Sequence, residues 1–231
     1  MAGERLIYFD MRGRAEAIRL TLHAMEIDFD DRRIMTADAW DALRPRTDFG
    51  GLPIFESATV KLSQYHAILR HLARAAGWLG HDEAQDTALD ITQEALAEAQ
   101  ENLWRFAWVD GWRNKTNNYA VETLRPTLAT IQSWCRRTGR QSGFCVGDVP
   151  THVDFIAFSY LDEVDAFFPD VLPSFPDLSD LHRRVGSIPS VNAYLTSEIR
   201  PFVFGIGCDG PKVDPRIAVP EGRAFINPWG V

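Results

Sequence analysis

The chain has 231 residues, 45% hydrophobic and 24% charged, a balance typical of globular proteins and a length sufficient for one large domain or two smaller ones. Its formal net charge of −8 argues against a general nucleic-acid or acidic-membrane surface, because phosphate binding needs clustered Lys and Arg. No apolar run approaches the ~18 residues of a spanning helix. Three widely spaced cysteines, with no secretory segment after Met1, predict a cytoplasmic protein.

The first third of the chain alternates between strand and helix patterns. In chain order, the predicted elements are a strand at 6–9, a helix at 14–25, a strand at 29–34, a short helix at 40–43 with Thr36 or Asp38 as its cap, a hairpin of strands at 53–55 and 59–62, and a helix capped by Ser63 that runs to Ala76. This order predicts an α/β domain with a thioredoxin-like layout over residues 1–77, followed by a linker at 78–83.

Residues 84–200 have the composition of an all-α second domain. The predicted helices are 84–110, 120–138 with a kink at Pro126, one that begins with a capping box formed by Thr151 and Asp154, 178–185, and 189–199. The capping box precedes a strongly apolar run at residues 155–158.

Residues 201–231 form an extension that is rich in Gly and Pro and has little helical pattern. It is nevertheless too apolar for a solvated tail, with Phe202, Val203, Phe204, Ile206, Phe225, Ile226 and Trp229. We therefore expect it to pack on the body of the protein, over a site or an interface. The Gly-x-Gly-x-x-Gly pattern at 205–210 is not predicted to bind a dinucleotide, because prolines follow where that motif requires a helix.

Two stretches of the first domain fit together as one ligand site. Tyr8 to Glu16 reads Tyr-Phe-Asp-Met-Arg-Gly-Arg-Ala-Glu and places a tyrosine at a strand end, and residues 51–68 supply a loop, a hairpin and a helix N-terminus. Small ligands bind at such places in α/β sheets. In combination, the two stretches closely resemble the glutathione-binding half of the cytosolic glutathione transferases. The opening is most similar to the sigma class, which includes glutathione-dependent enzymes of the prostaglandin D synthase type.

The resemblance implies that glutathione is bound as a co-substrate and that its thiol is ionised. A free thiol has a pKa of about 8.5, and one hydrogen bond to a charged acceptor contributes ~1.5–3 kcal/mol, enough for most of the necessary lowering. Tyr8 matches the family's catalytic tyrosine, and Arg14 matches an arginine that lies near its hydroxyl and favours the thiolate. From the residues alone, Tyr8 is also compatible with a core position and Arg14 with the surface of a helix start.

The resemblance also assigns the remaining glutathione contacts. The matched residues are Trp40 and Arg44 for the glycyl carboxylate, Leu52 for backbone pairing with the cysteinyl part, a cis peptide at Pro53, and Gln64 with Tyr65 for the γ-glutamyl carboxylate at a helix N-terminus. The chain departs from the family pattern at Tyr65, where a short serine is usual. Without the resemblance, Trp40 could equally be a packing residue and Arg44 a solvated one.

The family further takes an acidic residue from the partner subunit of a homodimer to hold the γ-glutamyl amine, and Glu98 falls at that position. A solvated acidic helix face explains Glu98 equally well. The electrophile pocket has the candidates Phe9, Met11, Trp104, Phe106, Trp108 and Trp112. Trp104 and Trp108 share a helical face, and such an aromatic stripe is also typical of a core. Neither the histidines nor the cysteines have metal-ligand spacing, so no metal is expected.

The sequence thus predicts a glutathione transferase that conjugates the thiolate to a hydrophobic electrophile, such as an epoxide, an activated alkene or a halide. Two alternatives remain open at this point. One is a glutathione-dependent isomerase or ether-cleaving enzyme, and the other is a non-catalytic structural or ligand-binding protein on the same fold, which the tyrosine at 65 favours.

Overall fold

A four-stranded mixed sheet organises the first part of the chain in the computed structural model, which describes residues 3–139 and 142–217. Its strands are β1 (Glu4–Phe9), β2 (Phe29–Ile34), β3 (Ile54–Glu56) and β4 (Lys61–Ser63). They lie in the order β2-β1-β3-β4, with β1 parallel to β2 and antiparallel to β3, and with β3 antiparallel to β4. The carboxyl end of the central strand β1, where Tyr8 lies, is therefore at one end of the sheet between neighbouring strands.

Three helices accompany this sheet: α1 (Glu16–Ala24), α2 (Ala37–Leu43) and α3 (Tyr65–Ala76). The predicted cap of α2 is confirmed, because the Thr36 hydroxyl accepts a hydrogen bond from the Ala39 N–H at 3.2 Å. The predicted cap of α3 is wrong. Ser63 ends β4, and Gln64 is the capping residue, with a left-handed φ of 69° and no hydrogen bond from its side chain.

The second part of the chain is helical. Its helices are α4 (Glu83–Phe106), α5 (Thr116–Tyr119), α6 (Arg125–Thr138), α7 (His152–Phe167), α8 (Pro176–Gly186) and α9 (Pro189–Leu195). The predicted kink at Pro126 coincides with an irregular turn: α5, a π-helical turn at Ala120–Leu124 and α6 follow one another without a break, and Pro126 lies in the first turn of α6.

Helix α7 runs through the core, and nearly all of its residues are buried. The predicted capping box is confirmed. The Asp154 carboxylate accepts hydrogen bonds from the Thr151 N–H at 2.8 Å, from the Thr151 hydroxyl at 3.0 Å and from the Cys145 N–H at 2.7 Å. These bonds attach the preceding glycine-containing loop to the start of the helix.

After α9 the chain forms an antiparallel hairpin of β5 (Val203–Gly207) and β6 (Gly210–Val213), which the sequence did not predict. The Gly-x-Gly-x-x-Gly pattern supplies one strand and the turn of this hairpin. The Arg12 N–H donates to the Val203 carbonyl at 2.8 Å, so the hairpin lies against the loop after β1. Phe225, Ile226 and Trp229 lie outside the described residues.

No helix in the described part of the chain combines the length and apolar character that crossing a membrane requires.

Candidate active site

Tyr8 is held at the end of β1 with its hydroxyl beside the loop that leads into α1. The residue is 6% exposed, and its Oη accepts a hydrogen bond from the Arg14 N–H at 3.2 Å. Gly13 makes this approach possible, because a Cβ at that position would lie 2.6 Å from Tyr8 Oη. With a φ of +40°, Gly13 also adopts a conformation that other residues rarely tolerate. Sequence reasoning assigned Gly13 no role, although it belongs to the same motif.

The geometry leaves the proton of Tyr8 available for a ligand. A phenol has one donor and two acceptor positions, and the Arg14 N–H uses only an acceptor position. Burial raises the pKa of Tyr8, and this effect outweighs the opposing influence of the Arg14 N–H and the Arg14 charge. The hydroxyl is therefore protonated at neutral pH and can donate to an anion within hydrogen-bond distance.

The Arg14 side chain lies where two cavities meet. Its Nη2 is 3.6 Å from Glu101 Oε1, and its guanidinium lies 5.1 Å from the ring centroid of Trp104. It lines both a polar cavity of about 790 Å³ and an apolar cavity of about 590 Å³. The backbone N–H of Arg14 thus lies at the Tyr8 hydroxyl, and its charged side chain lies at the boundary between the two cavities.

The polar cavity collects most of the residues expected to bind glutathione. Leu52, Pro53, Gln64, Tyr65 and Glu98 all line it, together with Ser63, His66, Glu94, Glu101, Asn102 and Arg105. The expected cis peptide between Leu52 and Pro53 is confirmed. The loop after α2, the start of α3 and one face of α4 therefore meet around one polar site.

The start of α3 is suited to an anion. The first N–H groups of a helix lack internal partners, and the helix dipole adds a partial positive charge there. Gln64, the capping residue, has a backbone conformation that is rare for a side-chain-bearing residue, and such strain is found preferentially at ligand sites. Gln64 and Tyr65 line a cavity that Arg14 also lines.

Tyr65, the departure from the family pattern, is buried with its hydroxyl unpaired. Its Oη has no hydrogen-bond partner within residues 3–139 and 142–217. The Nε2 of His66, whose ring lies 3.8 Å from that of Tyr65, is likewise buried and unpaired among these residues. Burial raises the pKa of Tyr65 and lowers that of His66, so both groups are neutral at neutral pH. They form a neutral polar wall at the start of α3.

Tyr8 borders the apolar cavity. Tyr8, Phe9, Met11, Trp40, Trp104, Trp108, Phe204, Ile206 and Lys212 are among the residues that line it. Phe106 and Trp112, two of the pocket candidates, are instead buried against each other, with ring centroids 5.9 Å apart. Four of the six candidates, Phe9, Met11, Trp104 and Trp108, thus line one apolar cavity, and the hairpin contributes residues to it that sequence reasoning did not assign.

Trp40 and Arg44 separate in the structure. Trp40 is buried against Phe9, with ring centroids 5.2 Å apart, and lines the apolar cavity. Arg44 caps the C-terminus of α2 and is not among the residues that line either cavity. Arg44 keeps a helical backbone and donates its N–H to the Trp40 carbonyl, so the spacing of four is helical, but Trp40 is buried and Arg44 is exposed.

The described residues contain no group of three or more His, Cys, Asp or Glu side chains arranged to hold a metal ion.

Comparison with known proteins gives a consistent result for both parts of the chain. Residues 4–74 match the family model of the glutathione S-transferase N-terminal domain, and residues 100–198 match that of the C-terminal domain. The chain is 29% identical over 205 residues to glutathione S-transferase P of Caenorhabditis elegans, covering 88% of this chain and 98% of the relative. It is 30% identical over 208 residues to glutathione S-transferase Mu 1 of Oryctolagus cuniculus, covering 85% and 93%.

Solved structures agree with these relatives. The Pi-class glutathione S-transferase of Onchocerca volvulus superposes with a TM-score of 0.79 at 29% identity, covering 84% of this chain and 92% of that one. Rat hPGDS complexed with a quinoline superposes with a TM-score of 0.73 at 27% identity, covering 83% and 95%. Since the matches include Pi and Mu members as well as hPGDS at similar identities, they do not single out the sigma class.

Proposed function

Because this chain belongs to the glutathione S-transferase family, we propose that it binds glutathione in the polar cavity and conjugates the thiolate to a hydrophobic electrophile in the apolar cavity. The observation that carries this proposal is the position of Tyr8. Its side chain lies on the wall of the apolar cavity and adjoins Arg14, which lines both cavities, while its proton remains uncommitted.

The catalytic roles follow from that position. Tyr8 donates a hydrogen bond to the glutathione sulfur, and Arg14 adds positive charge at the boundary between the cavities, so both groups favour the ionised thiol. A pKa lowered by about two pH units corresponds to about 2.7 kcal/mol, within reach of one charge-assisted hydrogen bond and a nearby cation. The thiolate then attacks an electrophilic carbon held against Trp104 and Trp108.

The polar cavity has groups for the rest of the tripeptide. The N–H groups at Gln64 and Tyr65 hold the γ-glutamyl carboxylate, Leu52 pairs through its backbone with the cysteinyl part, and cis Pro53 shapes that turn. As the family resemblance implies, Glu98 of a second copy of the chain in a homodimer holds the γ-glutamyl amine. Trp40 and Arg44 remain proposed contacts of the glycyl carboxylate, with Arg44 required to swing toward the cavity.

Steady-state conjugation tests this proposal. The purified protein should form thioethers from glutathione and an aryl or benzyl halide, and cysteine should not replace glutathione because it lacks both terminal carboxylate contacts. A protein that neither binds glutathione in calorimetry nor forms the thioether would contradict the proposal.

We also propose that the protein is a homodimer. Phe49 lines the polar cavity and, at 74%, is the most exposed large hydrophobic residue of the described chain, and aromatic side chains are enriched in protein interfaces. A separate apolar cavity of about 500 Å³ lies between α4 and α6, lined by Ile91, Leu96, Ile131 and Trp134 among others. In a two-fold dimer, Phe49 of each copy can fill this cavity of the other.

Sedimentation of the Phe49→Ser variant tests the dimer. The variant should sediment as a monomer, whereas Met35→Ser, which changes another exposed apolar residue, should leave the dimer intact. A dimer that persists in Phe49→Ser would rule out this packing.

A cytoplasmic location is part of the same proposal and is supported by the free state of Cys135, Cys145 and Cys208.

A further inference from the structure

The apolar cavity contains one polar feature that its expected role does not explain. Lys212, on β6, lines the cavity although its residue is 2% exposed, and its ammonium pairs with Glu163 on α7. Apart from Arg14 at the boundary, it is the only charged residue among those that line the cavity in the described structure. A lysine, whose ammonium has three donors, is therefore part of a wall otherwise made mainly of aromatic and aliphatic groups.

The hairpin sequence places this ammonium. Lys212 is paired in register with Gly205 on β5, and a Cβ at Gly205 would lie 3.6 Å from Lys212 Cε. The aliphatic part of the Lys212 side chain thus passes over Gly205, where β5 has no side chain. Glu163 then holds the ammonium from one side, because its other oxygen accepts a hydrogen bond from Trp104 Nε1 at 3.0 Å. Glu163 connects two cavity-lining residues, one from α4 and one from the hairpin.

Anchoring of the hairpin does not require this buried charge pair. A backbone hydrogen bond from Arg12 to Val203 already attaches the hairpin to the loop after β1, and ion pairs of Asp214 and Arg216 attach the segment directly after β6 to that loop and to α7. A buried ion pair is also seldom more stable than an apolar pair of similar volume, because desolvation offsets most of the attraction. Glu163 is the only hydrogen-bond partner of the ammonium among the described residues, which leaves donor capacity toward the cavity.

We propose that Lys212 is a specificity-determining residue that donates a hydrogen bond to the carbonyl oxygen of an α,β-unsaturated aldehyde or ketone with a hydrophobic body. The inference rests on the proposed function and names the substrate class of the same site. Since Glu163 neutralises the ammonium, the wall carries little net charge toward a ground-state substrate. It therefore suits a neutral oxygen that becomes negative during the reaction better than a permanent carboxylate.

The chemical step is an addition without a leaving group. The glutathione thiolate forms a C–S bond to the β-carbon, and the electron pair of the C=C bond moves toward the carbonyl to give an enolate. Lys212 keeps its proton and stabilises the enolate oxygen through a hydrogen bond. The α-carbon then takes a proton from water, which balances the proton that the thiol released on ionisation.

Two aromatic electrophiles separate this role from a structural one. Benzylideneacetone develops an enolate on attack, whereas benzyl chloride releases chloride and develops no oxyanion. In Lys212→Met, kcat/KM for benzylideneacetone should fall about 100-fold, as for loss of one oxyanion donor. The kcat/KM for benzyl chloride should change little. Lys212→Arg should recover part of the lost activity because it restores a donor.

Two further variants control for disturbance of the hairpin. The double variant Lys212→Met/Glu163→Gln leaves no unpaired buried charge and should show the same selective loss as Lys212→Met. Arg216→Met breaks contacts of the segment after the hairpin to Asp162 and Asp165, outside the cavity lining, and should not discriminate between the substrates. Equal losses for both substrates in the Lys212 variants, or no loss, would overturn the inference. A wild-type protein that binds no glutathione and turns over neither substrate would overturn the proposed function instead.

Discussion

At the scale of single residues, the proposed chemistry depends on how the backbone presents Tyr8. The Arg14 N–H fixes the phenol oxygen from one side and leaves the proton free, and Gly13 leaves the space that the hydroxyl occupies. Burial keeps the phenol protonated by raising its pKa. In the proposed chemistry the side chain therefore donates to an anion and is not a base that removes the thiol proton.

Gly13→Ala tests this arrangement. The new Cβ would lie 2.6 Å from Tyr8 Oη, so the hydroxyl must move and turnover should fall at least about tenfold, the effect of about 1.4 kcal/mol lost from the transition state. The measurement is kcat/KM for thioether formation, with folding followed by circular dichroism.

Gly77→Ala is the matched control. Gly77 also has a positive φ, of 69°, but nothing lies within 4 Å of a Cβ placed there. Both variants should lose about 1 kcal/mol of stability from backbone strain. Equal turnover in the two variants would show that the position of Tyr8 does not depend on Gly13.

At the scale of elements, α7 is the support to which the other parts attach. Its start is tied to the preceding loop through Asp154, and its middle provides Asp162 and Glu163 to the hairpin and the loop after β1. Burial raises the pKa of Asp154 to about 6, although three hydrogen bonds oppose this rise. The capping box depends only on two residues three apart in the sequence, which is why it could be predicted from the sequence.

Asp154→Ala should lower the free energy of unfolding by about 3 kcal/mol, because it leaves the buried Thr151 and Cys145 N–H groups without an acceptor. Asp82→Ala, at the start of α4, removes a single cap bond of 2.8 Å to the Gln85 N–H and should lower it by about 1 kcal/mol. Chemical denaturation of both variants gives the comparison. Similar losses in the two would mean that the loop attachment at Asp154 adds nothing to an ordinary helix cap.

At the scale of the whole molecule, a buried ionic network joins distant parts of the chain. Arg12, which is 1% exposed, bonds to Asp162 at 3.2 Å and to Asp214 at 2.9 Å, while Arg200 bonds to Glu16 at 2.8 Å. These pairs connect the loop after β1, helix α7 and the segment that follows the hairpin. The cavity wall is consequently built from both ends of the described chain.

This network predicts that the folded state loses stability as the pH falls. Burial opposes ionisation of Asp214, but Arg216 and Arg12 outweigh it and hold the pKa of Asp214 below its ordinary value. The unfolded chain binds the proton near pH ~4, before the folded chain does, so this stabilisation is complete at neutral pH and is lost as pH falls below about 4. Asp162 behaves in the same direction.

Asp214→Asn should therefore be less stable than wild type at neutral pH and should lose less further stability on acidification. Melting temperatures between neutral pH and pH ~3 provide the measurement. Asp30→Asn, which alters an exposed pair with Arg5, is expected to follow the wild-type curve. An acid-induced loss in Asp214→Asn as steep as in wild type would exclude Asp214 as a source of the sensitivity.

The sequence predicted what local patterns encode. The bounds of β2, the Thr36 cap and the capping box of α7 each depend on a few neighbouring residues, and all three were confirmed. The hairpin was missed because its strands are rich in Gly and Pro and are stabilised by residues far away along the chain. Lys212 could not be assigned to a cavity for the same reason, since its partner Glu163 is on another element.

The most direct test of the account is the pKa of the glutathione thiol bound to the wild-type protein and to Tyr8→Phe, followed through thiolate ultraviolet absorbance. We predict a bound thiol pKa about two units below the free value of about 8.5 in wild type, and most of that lowering lost in Tyr8→Phe. Tyr119→Phe, which removes a hydroxyl from a ring stacked 4.0 Å from Phe106, should match wild type. An equally low thiol pKa in Tyr8→Phe would contradict the central role given to Tyr8.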